Sequence, residues 1–291
     1  MPWLSRDWYN NTTSPMTLPF IKMHGLGNDY VYIDGFRQET AALLTKVNLA
    51  ALARRVSDRH FGIGSDGLVL ILPSGDADAK MRIFNADGSE AEMCGNAIRC
   101  VGKYLYESGL CRNVQLQIET LAGIRFLSLQ LSHGRVEQVT VNMGRPVIQP
   151  ESIQVGMDPI GYTSVNMGNP HAVFFRETVM PDEELTEVGR SVGTHPHFPE
   201  GTNVEFVRVR NNKELDVRVW ERGSGVTLAC GTGACAAAVS AMWHGWTERD
   251  VTVHLPGGDL EIRWETNTKS VYMTGPATEV FRGTYTWEDK R

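Results

Sequence analysis

Leu228-Ala229-Cys230-Gly231-Thr232-Gly233-Ala234-Cys235 runs into an apolar, alanine-rich stretch, and 230 − 94 = 136 residues earlier Glu92-Met93-Cys94-Gly95-Asn96-Ala97-Ile98-Arg99-Cys100 runs into another helix-like stretch. Each phrase sets a cysteine and a glycine just ahead of a helical pattern. A thiol there lies among unpaired backbone N–H groups at the positive end of the helix dipole, which favours the thiolate. One such cysteine is ordinary. Two in matching contexts point to a matched pair of acid/base groups.

Outward from the two phrases, a longer repeat emerges. Asn28 and Asn169, each after a glycine, are offset by 169 − 28 = 141, and the His60-Phe61 and His197-Phe198 pairs by 197 − 60 = 137. Three landmarks in one order at nearly one offset indicate two copies of one domain. In the first copy, a glycine-punctuated loop (22–29) leads into a strand pattern at 30–33, and residues 43–57 have helical spacing. A second glycine-rich loop (59–67) precedes a strand at 68–72, and a strand at 80–84 ends in the turn Asn85-Ala86-Asp87-Gly88-Ser89. Strand patterns follow at 114–120, 125–131 and 136–141. The second copy repeats the order, with strands at 172–175, 204–210 and 217–220 and a helix at 183–192. Strands at 251–255, 260–265, 271–274 and 279–285 close the chain. The stretch after Cys230 is apolar nearly all round, so that helix is buried on every side.

These features predict an α+β fold of two pseudo-symmetric domains from a duplication. Each is a mixed β-sheet curled barrel-like around a central helix, with the active site in the inter-domain cleft. The expected divisions are an N-terminal extension (1–19), an N-terminal domain (20–135 plus 278–291) and a C-terminal domain (136–277). The extension carries Trp3, Trp8 and Tyr9 among polar residues and lacks the apolar core of a secretory signal. It reads as disordered or loosely docked, with Met16 as an alternative start.

At 291 residues the chain is long enough for two such cores. A net charge of −6 and no Lys/Arg-rich run exclude a nucleic-acid partner, and no apolar run approaches membrane-spanning length. Five cysteines, an odd number, fit reduced thiols in a cytoplasmic protein better than a disulfide framework.

Inverting a carbon centre requires removing a proton from one face and returning one to the other. That takes two groups of matched proton affinity, one deprotonated while the other is protonated. Two cysteines at helix N-termini on pseudo-symmetric domains supply this, and the helix ends can hold a substrate carboxylate through backbone N–H groups. No dinucleotide fingerprint or P-loop is present, in keeping with cofactor-free chemistry. A thiol-based redox or metal-binding protein is the alternative class, disfavoured because Cys94/Cys100 and Cys230/Cys235 lack the close pairs of a zinc site or a Cys-x-x-Cys motif. Cys100, Cys111 and Cys235 read as packing cysteines and His24 as structural.

Met23-His24-Gly25-Leu26-Gly27-Asn28-Asp29, Met93-Cys94-Gly95-Asn96, Gly168-Asn169-Pro170-His171, Glu221-Arg222-Gly223 and Ala229-Cys230-Gly231-Thr232-Gly233-Ala234-Cys235 together resemble diaminopimelate epimerase, from about Phe20 to the C-terminus. Cys-Gly-Asn at the first cysteine and Glu-Arg-Gly before the second set this pattern apart from the similar proline racemases. The resemblance implies interconversion of LL- and meso-diaminopimelate, in lysine and peptidoglycan precursor biosynthesis, by a cofactor-independent homodimer. It implies that Cys94 and Cys230 are the two acid/base thiols, tuned by His171 and Glu221. Substrate would be held by Asn28, Asn85, Asn169, Asn203, Glu221 and Arg222, with the backbone at Gly95-Asn96 and Gly231-Thr232 on the reacting carboxylate. No metal is implied. A chain with proline or hydroxyproline as substrate is the alternative within the same chemistry. One departure stands out: this chain has Gly67 where many bacterial members carry Gln.

Overall fold

A computed structural model describes residues 16–155 and 158–287. In the first half, β1 (Met16–Gly25) and β2 (Asn28–Asp34) form a hairpin whose turn residues Leu26 and Gly27 both have positive φ, 57° and 84°. That is the two-residue turn matched to strand twist. Residues 22–29, expected as a loop, are therefore mostly strand, and their glycines mark a hairpin. β1 begins at Met16, inside the expected extension, and pairs along its length with the C-terminal strand. Residues 1–15 of that extension lie outside the described residues.

The expected helix over 43–57 is two helices, α1 (Gln38–Leu44) and α2 (Leu49–Ser57). Asn48 makes the break, because its side chain accepts the Ala51 N–H at 3.0 Å and caps α2. Then follow β3 (Gly67–Leu72), β4 (Ala79–Asn85), the short β5 (Glu90–Ala91), α3 (Gly95–Glu107), β6 (Gln115–Thr120), β7 (Gly123–Ser132) and β8 (Arg135–Gly144). The second half repeats the series with β9 (Val147–Val155), β10 (Asp158–Asn166), β11 (Pro170–Phe175), α4 (Asp182–Gly193), β12 (Asn203–Asn211), β13 (Glu214–Glu221), β14 (Gly225–Thr227), α5 (Gly231–Trp243), β15 (Asp250–Leu255), β16 (Gly258–Trp264) and β17 (Val271–Gly275). β18 (Thr278–Trp287) returns to β1.

Pairing repeats as faithfully as order. β2 runs parallel to β3 and β11 to β12, while β4 runs parallel to β6 and β13 to β15; the other ladders are antiparallel. β8 pairs with β17 and joins the halves into one mixed sheet. At this seam Thr140 and Thr274 face each other, with their hydroxyls 2.7 Å apart.

The alternation along β2 and β3 shows how the layers form. Tyr30, Tyr32, Val69 and Ile71 point inward to the core around α3, while Val31, Ile33, Leu68 and Leu70 point outward under α1 and α2. Both faces are thus buried, each large apolar side chain contributing about 1.5–3 kcal/mol. In the second half α4 covers the outer face, over Phe174, Phe206 and Trp220. The inner face wraps α5, which touches β10, β11, β12, β13, β15, β16 and β17. From Gly231 to Met242 nearly every α5 residue is buried, as its largely apolar sequence predicts. No helix of the described residues is long and apolar enough to cross a membrane.

Candidate active site

Cys94 is the N-cap of α3 and Cys230 the N-cap of α5, both in extended backbone conformation. A glycine follows each because the helix ends abut the β8–β17 seam. A Cβ on Gly95 would stand 2.8 Å from the methyl of Met273, and one on Gly231 would stand 3.1 Å from its sulfur. The two helix ends thus rest on the same methionine.

Around Cys94 the neighbours are an amide and a phenol. Its Sγ donates to Asn28 Oδ1 at 3.5 Å, and Tyr30 Oη approaches the sulfur at 4.0 Å. Asn28 is held from behind: its Nδ2 donates to Asp66 at 2.8 Å, Asp66 also accepts the Asp29 N–H, and Arg59 bridges Asp29 and Asp66. Lys22 adds a contact to Asp29.

Around Cys230 the neighbours are acids and an imidazole. Thr232 Oγ1 lies 3.5 Å from the sulfur, and the Gly233 N–H donates to it at 3.4 Å. Asn169 Nδ2 donates to Thr232 at 3.3 Å, His171 Nε2 lies 3.0 Å from Asn169 Oδ1, and His171 Nδ1 lies 2.7 Å from Glu205 Oε1. His171 and Glu205 are wholly buried. Glu221, at the end of β13, accepts from the Thr227 hydroxyl.

One path joins the two sets. Asn96 Nδ2 donates to the Ala229 carbonyl at 3.0 Å and lies 3.3 Å from Asn28 Oδ1. The turn of the β1–β2 hairpin presses on the second half as well, since a Cβ on Gly27 would stand 2.8 Å from Leu228 and one on Gly257 2.0 Å from the Leu26 carbonyl. Asn28, Cys94 and Asn96 therefore lie together against the residue that precedes Cys230.

The electrostatics correct one expectation. Loss of hydration pushes the Cys94 thiol up, and the Ala97 and Asn96 N–H groups of the helix end pull it back only in part. Burial drives Cys230 well above the ordinary thiol value, reinforced by the Glu221 and Glu205 carboxylates and opposed by Thr232 and the Gly233 N–H. Glu221 is itself raised, first by burial. The helix ends act in the predicted direction, but burial outweighs them.

Of the other expected residues, Asn203 is buried: its Nδ2 donates to the Pro170 carbonyl, and its Oδ1 accepts the Arg222 N–H, each at 3.0 Å. Arg222 is exposed, and its Nη1 donates to the Glu200 carbonyl at 3.1 Å without an ion pair to Glu221 among the described residues. Asn85 ends β4, with its Nδ2 on Ser89 Oγ at 3.0 Å, at the position equivalent to Glu221 in β13 (221 − 85 = 136). Gly67 pairs with Asn85, and a Cβ there would stand 2.1 Å from the Phe84 carbonyl oxygen, so this backbone excludes Gln. Cys100 and Cys235 pack in the core, while Cys111 is only partly buried. His24 accepts the Gly27 N–H at 3.2 Å in the hairpin turn. Among the described residues no three His, Cys, Asp or Glu side chains gather as metal ligands would.

Glu205, Tyr30 and Asp66 contact residues of the candidate site and were missed in the sequence. Glu205 had a signal: a carboxylate within Val204-Glu205-Phe206-Val207 on a strand buried on both faces needs a buried partner. Tyr30 and Asp66 had none.

Solved structures share this architecture. A hydroxyproline epimerase from Agrobacterium vitis matches with a TM-score of 0.70 at 18% identity over 94% of each chain. A probable proline racemase from Agrobacterium radiobacter matches with a TM-score of 0.71 at 16% identity, over 94% of this chain and 93% of that one. The fold is thus one found in amino-acid racemases and epimerases. In sequence, the diaminopimelate epimerase of Acetivibrio thermocellus is 51% identical over 280 residues, covering 91% of this chain and 97% of that one. The diaminopimelate epimerase of Methanococcus maripaludis strain C5 is 49% identical over 280 residues, covering 91% and 99%. The diaminopimelate epimerase family pattern matches residues 20–149 and 163–280, so the chain belongs to that family and is an isomerase.

Proposed function

We propose that this chain interconverts LL- and meso-2,6-diaminopimelate, with Cys94 and Cys230 exchanging protons at opposite faces of the α carbon. Support comes above all from the continuous path Cys94–Asn28–Asn96–Ala229–Cys230, which links the two thiol-capped helix ends. One cysteine, as thiolate, removes the α proton. The other, as thiol, delivers its own proton to the opposite face, and reversal of roles runs the reverse reaction. The pair carries one acidic proton before and after each conversion and two while the carbanion lasts, so no external acid or base is consumed.

The N–H groups at Gly95-Asn96 and Gly231-Thr232 hold the reacting carboxylate and stabilise charge as the carbanion forms. Asn28, Asn85, Asn169 and Asn203 bind the polar ends of the substrate, and Glu221 contacts its ammonium. Arg222, without a carboxylate partner among the described residues, takes the distal carboxylate in a bidentate fork. His171 and Glu221 tune Cys230. The enzyme serves lysine and peptidoglycan precursor synthesis in the cytoplasm as a homodimer. β8 pairs with both β7 and β17, and on pairing symmetry we assign it to the N-terminal domain, which moves the boundary expected at 135 to the β8–β9 connection.

Stereochemical conversion of LL-diaminopimelate, proline and hydroxyproline, followed by chiral chromatography in reducing buffer, tests the assignment. Conversion of diaminopimelate alone is expected. Turnover of an imino acid with none of diaminopimelate overturns the substrate and keeps the chemistry.

A further inference from the structure

The His-Phe pair that marks the repeat meets two different fates. In the first half it stays in solvent: Phe61 is 91% exposed, and Asp58 Oδ1 closes the turn locally by accepting the His60 and Phe61 N–H groups at 2.8 Å each. In the second half His195 takes the place of Asp58 (58 + 137 = 195), and its Nδ1 accepts the His197 N–H at 3.1 Å. Here the pair is also docked. His197 Nε2 lies 3.2 Å from Glu151 Oε2 and 3.1 Å from Tyr162 Oη, and the Tyr162 hydroxyl donates to the same Glu151 oxygen at 2.6 Å. The Phe198 ring meets the Tyr162 ring edge-on, with centroids 5.8 Å apart.

The docked loop carries a neighbour that its counterpart lacks. Arg222 lies along it: Nη1 donates to the Glu200 carbonyl at 3.1 Å, and a Cβ on Gly201, whose φ is 72°, would stand 3.2 Å from Arg222 Cδ. Backbone turns connect the dock to that contact. The Phe198 N–H donates to the His195 carbonyl and the Gly201 N–H to the Phe198 carbonyl, both at 2.8 Å, and the Thr202 N–H returns to the Gly193 carbonyl at 3.1 Å. In the first half the position equivalent to Arg222 (222 − 136 = 86) is Ala86. The half with the arginine anchors its loop, and the half without it leaves the same His-Phe pair in solvent. A long exposed side chain loses rotamer freedom when it meets a ligand, so holding it in place beforehand lowers the cost of binding.

We infer that Glu151, Tyr162 and His197 dock the 194–202 loop so that the Glu200 carbonyl holds Arg222 ready for the distal group of the substrate. The inference rests on the role given to Arg222 above. None of the three docking residues touches substrate in this scheme. They are positioning residues that set affinity for one end of the substrate and leave the proton transfer at the other end alone.

The test is a double-mutant cycle on the full chain with LL-diaminopimelate as substrate, kcat and KM being read separately. His197→Ala should raise KM about fivefold with kcat nearly unchanged, and Tyr162→Phe, which removes the hydroxyl shared by Glu151 and His197, about threefold. His197→Gln, which keeps a donor for Glu151, should restore most of the affinity. Arg222→Gln should raise KM further than any of these. Adding His197→Ala to Arg222→Gln should then change nothing, because the dock has no guanidinium left to hold. Effects that multiply in the double variant, or a KM unmoved by His197→Ala, overturn the inference. Should Arg222→Gln be too slow to assay, calorimetric Kd values of the same four proteins for LL-diaminopimelate complete the cycle. Failure of the underlying reading looks different and overturns the inference as well: an unaltered enzyme that does not convert diaminopimelate, or an Arg222→Gln variant with an unmoved KM.

Discussion

The surroundings of Cys94 and Cys230 occupy equivalent places in two copies of one fold, and they share almost no chemistry. Tyr30 stands where the other half has His171 (171 − 30 = 141), and Val69 where it has Glu205 (205 − 69 = 136). Asn85 answers Glu221, Asn96 answers Thr232, and Arg99 answers Cys235. The duplication kept the backbone, the cysteine cap and the glycine behind it. Each half then acquired its own polar set: an amide backed by surface ion pairs for Cys94, buried acids and an imidazole for Cys230. The difference teaches that backbone symmetry places the two thiols alike, while side-chain asymmetry gives each its own polar surroundings.

Removing either thiol should break the comparison outright. Cys94→Ala and Cys230→Ala should each lower epimerisation by about 10³-fold or more, because neither face then completes the exchange. Full activity in either variant refutes the pairing.

Glu221→Gln should have the next largest effect. It removes the first of the charges that raise Cys230 and one that also reaches Cys94. A nearby anion disfavours the thiolate, so its loss should move the Cys230 alkylation profile to lower pH, with a smaller shift in the same direction at Cys94. Activity should fall about a hundredfold. A Cys230 profile that stays put would show that Glu221 does not face that thiol.

Glu205→Gln sharpens the contrast further. It removes the partner of His171 and a second anion near Cys230. The Cys230 profile should shift to lower pH while Cys94 keeps its own, and kcat should drop about tenfold. Equal shifts at both cysteines would end the claim that each thiol has a private polar set.

The smallest effect is expected at Asp66→Asn, which loosens the Asn28 amide from behind. A loss of about threefold to tenfold in kcat, with no change at Cys230, fits the cost of about 1–3 kcal/mol for a disturbed charged hydrogen bond partly relieved by solvent. Crosstalk to Cys230 would be the contrary result.

The duplication was legible in the sequence because its landmarks, a Gly-Asn pair, a His-Phe pair and a Cys-Gly pair, recur in one order at nearly one offset. The buried α5 was legible from its largely apolar composition. Residues 43–57 misled because apolar spacing continues across the break, although Asn48 three residues before Ala51 carried a capping signal. Residues 22–29 misled because glycine marks a tight hairpin as readily as a loop. At the site, the two thiols and Asn169-Pro170-His171 could be read along the chain. Glu205, Asp66 and Arg99 could not be assigned, because their meaning lies in what they face: an imidazole 34 residues away, an amide 38 residues away, and, for Arg99, no acid among the described residues.

The central claim is that two thiols exchange protons with the α carbon from opposite faces. Its most direct measurement is incubation of the reduced enzyme with LL-diaminopimelate in deuterated water, with mass and configuration of the product followed together. The account predicts that each molecule converted to the meso form carries deuterium at the inverted α carbon, and that Cys94→Ala and Cys230→Ala form no such product. Meso product with hydrogen retained at that carbon, or deuterated product from either single variant, would contradict it.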